Sequence, residues 1–252
     1  MKRLGLIIGS GDLPWSLDWS PHGSDETDYG RASSQPELAE AGEVTLLRIR
    51  RHGVPHRFAP HAINYVANIA AFKALAVDGI VALNTVGGIA AETTPAGLVL
   101  PDQLIDYTWG RRSSFSQDDA VRHIDFTEPF DSALRAALAQ SAHTAGIDLI
   151  DGGTMAVTQG PRLETAAEVR RMASDGCSVV GMTGMPEAAL AREAQIPYAC
   201  VCLVVNAAAG MAGPGGDKSG IDMEAIEAVS AAGMAEVSRL LQVFCEFRMQ
   251  QE

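Results

Sequence analysis

The chain alternates short apolar runs with polar turns and amphipathic stretches, the pattern of strands interleaved with helices. Leu4 to Gly9 predicts a first short strand, and Val44 to Ile49 a second, loosely alternating one. Gly79 to Leu83, Leu98 to Ile105, Thr154 to Thr158, Cys177 to Met182 and Pro197 to Val205 read as further buried strands. Helical spacing marks His61 to Ala76, with Ile63, Ala67, Ala70 and Ala74 on one stripe. It marks Leu163 to Met172 as well, where Glu164 and Glu168 come early and Arg170 and Arg171 late, as the helix dipole favours. Asp131 to Ala145 predicts an Ala-rich helix, and Pro186 opens another. Asp222 is placed to cap a long final helix that buries Ile226, Val229, Val237, Leu240, Leu241 and Phe244. Asp18 to Glu40, rich in Ser, Asp and Pro, predicts a loop or mobile insertion. Asp106 to Ala120 predicts a polar loop, and Gly213 to Gly220 a Gly-rich lid.

Length and charge narrow the class. At 252 residues, one α/β domain spanning 1–252 suffices, and no repeat or linker divides it. A hydrophobic content of 47% and a charged content of 20% fit a soluble globular protein. The net charge of −12 argues against nucleic acid or an anionic membrane as partner. An anionic substrate would have to be drawn in by local groups. Cys177, Cys200, Cys202 and Cys245 have neither metal-site nor disulfide-framework spacing and read as buried thiols. Met1-Lys2-Arg3 before an apolar run suggests a signal peptide, but the run is too short and ends in Gly9-Ser10-Gly11. The expectation is a cytoplasmic protein with no metal.

The candidate chemistry sits at strand ends, where open α/β sheets bind ligands. Gly9-Ser10-Gly11 offers N–H groups and a hydroxyl to an anion, although a lone GxG is weak. Arg51 is a five-donor fork suited to phosphate, with His52 beside it to add a donor. By pattern alone a basic cluster at a strand end is more often a solvated turn. Asn84-Thr85-Val86-Gly87-Gly88 reads as a tight turn, and His123 as a surface histidine.

Two segments change that balance. TQGPRLETAAE, from Thr158, and GMTGMPEAALARE, ending at Glu193, resemble the signature segments of the trimeric purine nucleoside and methylthioadenosine phosphorylases. The likeness runs through VGGI, HRFAPHAINY, LPDQLIDYTWGR and PYACVCLVVNAAAG, and is weakest from Asp12 to Glu43. It implies a mixed, twisted, partly closed β-sheet flanked by helices, of the phosphorylase/hydrolase-like kind. It implies a homotrimer, or a dimer of trimers, with inorganic phosphate as co-substrate and no cofactor. Ser10, Arg51, His52, Asn84, Thr85 and Thr183 match the phosphate set. Leu163, where many relatives have Phe, Glu164 and Asn206 face the base, and Met182 lies under the sugar. His56 and Ile221 lie toward the sugar and its 5' substituent, and His123 reaches in from a neighbouring subunit. Asn206, Glu164 and His52 are the candidates for catalysis.

Asn206 carries the base preference. Relatives that take 6-aminopurines have Asp here and again two residues on, where this chain has Ala208. A carboxamide donates to a carbonyl oxygen, whereas a carboxylate repels it. Glu164 accepts from the ring N–H that hypoxanthine has and adenine lacks. The resemblance therefore implies phosphorolysis of S-methyl-5'-thioinosine to hypoxanthine and 5-methylthioribose 1-phosphate. Inosine, guanosine or methylthioadenosine are the alternative nucleosides, and nucleoside binding without turnover is the alternative of another class.

Overall fold

The computed structural model describes residues 1–116, 121–211 and 223–249. The predicted lid at 213–220, Ile221 and the cap Asp222 lie outside the described residues. The centre is a mixed sheet of eleven strands. Strands β1 (Arg3–Ile8), β6 (Val44–Arg50), β7 (Gly79–Gly88) and β13 (Tyr198–Ala207) are mutually parallel neighbours in the order β13-β7-β1-β6. Strand β1 has no polar face because both of its faces are covered. Leu4, Leu6 and Ile8 pack toward α2 (Ser132–Ala145) and α5 (Met223–Met249). Ile7 packs toward α1 (Tyr65–Ala74) and α4 (Gly184–Glu193).

A corner converts part of this sheet into a ring. The predicted strand Leu98 to Ile105 is two strands, β8 (Leu98–Leu100) and β9 (Gln103–Asp106). Pro101-Asp102 separates them, because proline cannot donate to a ladder. Strand β8 pairs with β13, whereas β9 pairs with β11 (Thr154–Val157). Strand β11 pairs with β12 (Cys177–Gly181), which returns antiparallel to the end of β7 at Gly87 and Gly88. The circuit β7-β13-β8, β9-β11-β12-β7 is the partly closed sheet that the resemblance implied.

Several sequence boundaries move. The 18–40 stretch is not loop. It forms β2 (Ser20–Pro21), β3 (Glu26–Thr27), β4 (Gly30–Arg31) and β5 (Glu37–Ala41), the last pairing antiparallel with β6. Asn68 fastens this segment to α1, accepting from the Ser33 amide at 2.7 Å. Helix α1 starts at Tyr65 after a short 3-10 turn, so Ile63 precedes it. Its predicted stripe fails: Ala74 is exposed, while Tyr65, Val66, Asn68, Ile69 and Phe72 are buried. The helix lies between α4 and the β3–β4 hairpin and is covered on most sides. Helix α3 (Ala166–Ser174) begins three residues later than predicted, with Thr165 and Glu168 forming a reciprocal cap. Glu164 is therefore in the turn before it. Strand β10 (Leu149–Asp151) was not evident from pattern. All four cysteines are buried and free.

Candidate active site

The carboxyl ends of β1 and β6 meet the middle of β7, because the tight turn expected at Asn84-Thr85-Val86-Gly87-Gly88 is instead strand, held in the ladder by β13 as far as Gly88. Ile8 is in register with both Arg50 and Leu83, so Gly9, Arg51 and Asn84 emerge side by side. The Arg51 side chain crosses this point and is 1% exposed. Its Nε donates to Glu187 Oε1 at 2.6 Å, and Nη2 to Glu187 Oε2 at 2.9 Å and to Asn84 Oδ1 at 2.8 Å. Nη1 donates to Leu83 O at 2.9 Å. Four of the five N–H bonds of the fork are thereby committed to protein acceptors. The fifth belongs to Nη1, which a Cβ on Gly9 would meet at 2.7 Å. Glycine at position 9 is what lets the guanidinium reach the β1 turn. Burial alone would depress the Arg51 pKa, but the charge and hydrogen bonds of Glu187 reverse this and hold it above the ordinary value. Tyr198 Oη adds a third donor to Glu187 at 3.0 Å.

Asn84 is positioned by the same network. Its Oδ1 accepts from Arg51, which fixes the amide orientation. Its Nδ2 is then buried with no hydrogen-bond partner among the described residues. A buried amide donor without an acceptor is costly, and an oxygen placed beside it would relieve that cost. Ser10, in the turn after β1, and Thr85, in β7 beside Asn84, are half-buried. Thr183 is buried at the start of α4, and its hydroxyl makes no capping bond.

His52 departs from the sequence expectation. Its Nδ1–H donates to Phe58 O at 2.7 Å, and its ring stacks on exposed His56 at 4.2 Å. Burial lowers its pKa to about 4; the bond to Phe58 opposes the shift, and the Arg51 charge adds to it. The ring is therefore neutral at pH 7, and Nε2 is an acceptor rather than the predicted second donor.

The base-side residues lie on two adjoining turns. Thr158, at the end of β11, donates from N to Gly181 O at 2.8 Å, joining the ends of β11 and β12. Its Oγ1 donates to Glu164 Oε1 at 2.6 Å and tethers that carboxylate. Gly160, at φ +57°, sits where a Cβ would meet Met182 Sδ at 2.6 Å, so the two turns touch. Leu163 is 43% exposed. Asn206, half-buried near the end of β13, donates from Nδ2 to its own neighbour Ala207 O at 2.6 Å. One N–H of that amide and its carbonyl oxygen remain for a ligand. Ala208 is buried among Ile89, Val169, Met172, Cys177 and Val180.

His123 is exposed and stands apart from these turns. It lines a cleft of about 640 Å³ with Asp125, Arg192 and Tyr198. Arg162 pairs with Glu168 at 2.7 Å on the surface and belongs to the α3 cap. Among the described residues no group of three or more His, Cys, Asp or Glu could hold a metal ion. No described helix is long and apolar enough to cross a membrane. Sequence reasoning missed the pairing of Arg51 with Glu187 and of Glu187 with Tyr198, and missed Arg111, which bridges the turns at Thr158–Gln159 and Met182–Met185.

A partly closed α/β sheet with a buried cation, an unpartnered amide and two tethered turns at its strand ends makes a small-molecule site of the α/β-enzyme type. The chain belongs to the phosphorylase superfamily, whose pattern matches residues 25–245. It is 50% identical over 187 residues to a protein of Xylella fastidiosa strain 9a5c named as a probable S-methyl-5'-thioinosine phosphorylase, covering 73% of this chain and 79% of that one. It is 40% identical over 208 residues to the S-methyl-5'-thioadenosine phosphorylase of Mycolicibacterium smegmatis, covering 82% and 78%. The fold matches the methylthioadenosine phosphorylase of Schistosoma mansoni in complex with adenine at a TM-score of 0.89 and 24% identity, over 100% of this chain and 93% of that one.

Proposed function

We infer that the chain is a purine nucleoside phosphorylase, a pentosyltransferase that cleaves S-methyl-5'-thioinosine with inorganic phosphate. The products are hypoxanthine and 5-methylthioribose 1-phosphate. The observation that carries the anion half of this reading is the buried, unpartnered Asn84 amide beside the Arg51 guanidinium. Phosphate accepts from Asn84 Nδ2, from the remaining Arg51 N–H, and from the Ser10, Thr85 and Thr183 hydroxyls. The neutral His52 Nε2 accepts from a protonated phosphate oxygen or a ribose hydroxyl. A phosphate oxygen then bonds to the anomeric carbon as the carbon–nitrogen bond breaks, and the bonding pair leaves with the purine. The anion's charge stabilises the oxocarbenium-like ribosyl group between them. Asn206 donates to the purine 6-oxygen, Glu164 accepts from the ring N–H, Met182 floors the sugar, and Leu163 covers the base. His56 and Ile221 face the sugar and its 5' group. No organic cofactor takes part.

The 50% identity to the thioinosine enzyme and Asn206 in place of a carboxylate favour the 6-oxopurine. The 40% identity to the thioadenosine enzyme makes methylthioadenosine the second reading. His123, exposed in one copy beside a cleft, supports a homotrimer in which it reaches a neighbour's site. Phosphate-dependent release of base is measured from methylthioinosine, inosine, guanosine and methylthioadenosine. Methylthioinosine is expected to be fastest; preference for methylthioadenosine would overturn the role given to Asn206. Arg51→Ala is expected to raise the phosphate KM, and an unchanged phosphate KM would mean that the anion binds elsewhere.

A further inference from the structure

We propose that Arg111 is the positioning residue that sets the distance between the two base-side turns. It lies in a stretch without helical or strand periodicity, and its guanidinium is half-buried between the end of β11 and the start of α4. Nη2 donates to Thr158 O at 3.1 Å and to Gln159 O at 2.8 Å, both on the first turn. Nη1 donates to Met182 O at 2.8 Å and to Met185 O at 2.6 Å, both on the second. Tyr65 Oη lies 3.2 Å from Nη1, so that nitrogen shares two N–H bonds among three acceptors. Tyr65 is itself held, donating to Pro60 O at 2.8 Å. Four backbone carbonyls from two turns thus converge on one planar cation, one terminal nitrogen for each turn. Without the cation their oxygens repel.

The arrangement is selective for arginine. The two nitrogens of the fork are held in one plane at a fixed separation, so the turns they bind are held at a fixed separation too. A lysine ammonium has three N–H bonds at one point and cannot serve both ends. The Nε–H of Arg111 is buried with no partner among the described residues, so the side chain leaves one donor unmet while both terminal nitrogens reach the turns. The first turn carries Glu164, tethered through Thr158, and the second carries Met182 and Thr183. Arg111 touches none of the groups assigned to base, sugar or phosphate. It acts through the backbone that aims them, and its effect on the reaction rests on the function proposed above.

The test uses the full-length protein and its Arg111→Ala and Arg111→Lys variants, with two readouts. Hydrogen exchange, which needs no substrate, is followed in peptides covering 156–164 and 181–187. Both are expected to exchange at least about tenfold faster in Arg111→Ala, with the β1–β6 core unchanged. Phosphorolysis is expected to fall at least about a hundredfold in kcat/KM for both variants, with kcat and the two KM values all affected, since misplacing reacting groups by about 1 Å costs that much. Added guanidinium should restore part of kcat to Arg111→Ala and none to Arg111→Lys. Acceleration in only one turn or in neither, or a kcat/KM within threefold of the parent, overturns the proposal. So does failure of both variants to fold, which would make Arg111 a support of the whole sheet. If the parent enzyme cleaves no nucleoside while both turns loosen together, the positioning role stands and the proposed function falls.

Discussion

The Arg51–Glu187 pair gives the sharpest stability prediction. Glu187→Gln keeps the size of the side chain and removes only its charge and one acceptor oxygen. The carboxylate now takes Arg51 Nε on one oxygen, and Arg51 Nη2 with Tyr198 Oη on the other. A carboxamide serves one side and presents N–H to the other, so donor faces donor. Arg51 stays charged at 1% exposure with Leu83 O, Asn84 and half of its former partner. Breaking one side of a buried ion pair costs about 3–5 kcal/mol, out of a total stability of roughly 5–15. For a chain of this size that is about 6–20 °C in Tm, at about 2–4 °C per kcal/mol. Urea denaturation of parent and variant at one fixed protein concentration measures it. Glu236→Ala, which breaks the exposed pair with Arg239, serves as control and should lose about 0.5 kcal/mol or less. Phosphate should then protect Glu187→Gln by a larger Tm increment than it protects the parent, because an anion would restore the missing charge. A loss below about 1 kcal/mol in Glu187→Gln refutes the account of a desolvated pair.

Three further outcomes follow from the same geometry. Gly9→Ala puts a methyl 2.7 Å from Arg51 Nη1 and 2.8 Å from Leu83 O; phosphate KM should rise at least about tenfold, and titration showing unchanged phosphate affinity would contradict the packing. Asn206→Asp should move the ratio of kcat/KM for methylthioinosine over methylthioadenosine toward adenine by about 10–100-fold, worth 1–3 kcal/mol; an unmoved ratio means that Asn206 does not read the base. His52 titrates near 4 when folded and 6.5 when unfolded, so the unfolded chain binds the extra proton between those values. Its contribution is full above pH 6.5 and is lost as pH falls toward 4, by about 1–3 kcal/mol; His52→Gln should flatten that part of the stability curve, and an unaltered acid limb would speak against a neutral native ring.

How much of this was readable in the chain depends on the distance over which each signal acts. The apolar runs located the central strands because burial on both faces leaves a local mark, as in β1 and β13. The 18–40 strands left none, since two-residue strands such as Ser20–Pro21 and Glu26–Thr27 are too short to show a period. Arg51 and Thr183 were singled out through strand ends and family likeness, and Asn84 through a predicted turn that is the interior of β7. The partner of Arg51 was not, because Glu187 lies 136 residues away and reads locally as a first-turn acid beside Pro186. Arg111 sits in an irregular segment and, apart from the Tyr65 hydroxyl, binds backbone carbonyls, which carry no sequence signature. His52 was singled out as a second donor, but its hydrogen bond to Phe58 O decides which nitrogen can donate, and no residue pattern encodes that.

The setting of Ala208 constrains how a lineage can change diet. Its methyl lies where a Cβ on Gly87 would meet it at 3.3 Å, and it belongs to the apolar seat of α3, with Val169 and Met172. A carboxylate introduced there would first undermine the helix that follows the base-reading turn, before any gain in taste for an amino group. The exchange at 206 is a single step, but the companion exchange at 208 requires the helix to be re-seated first. On the function proposed above, a change of heterocycle that needs both exchanges thus demands a change of architecture as well as of recognition.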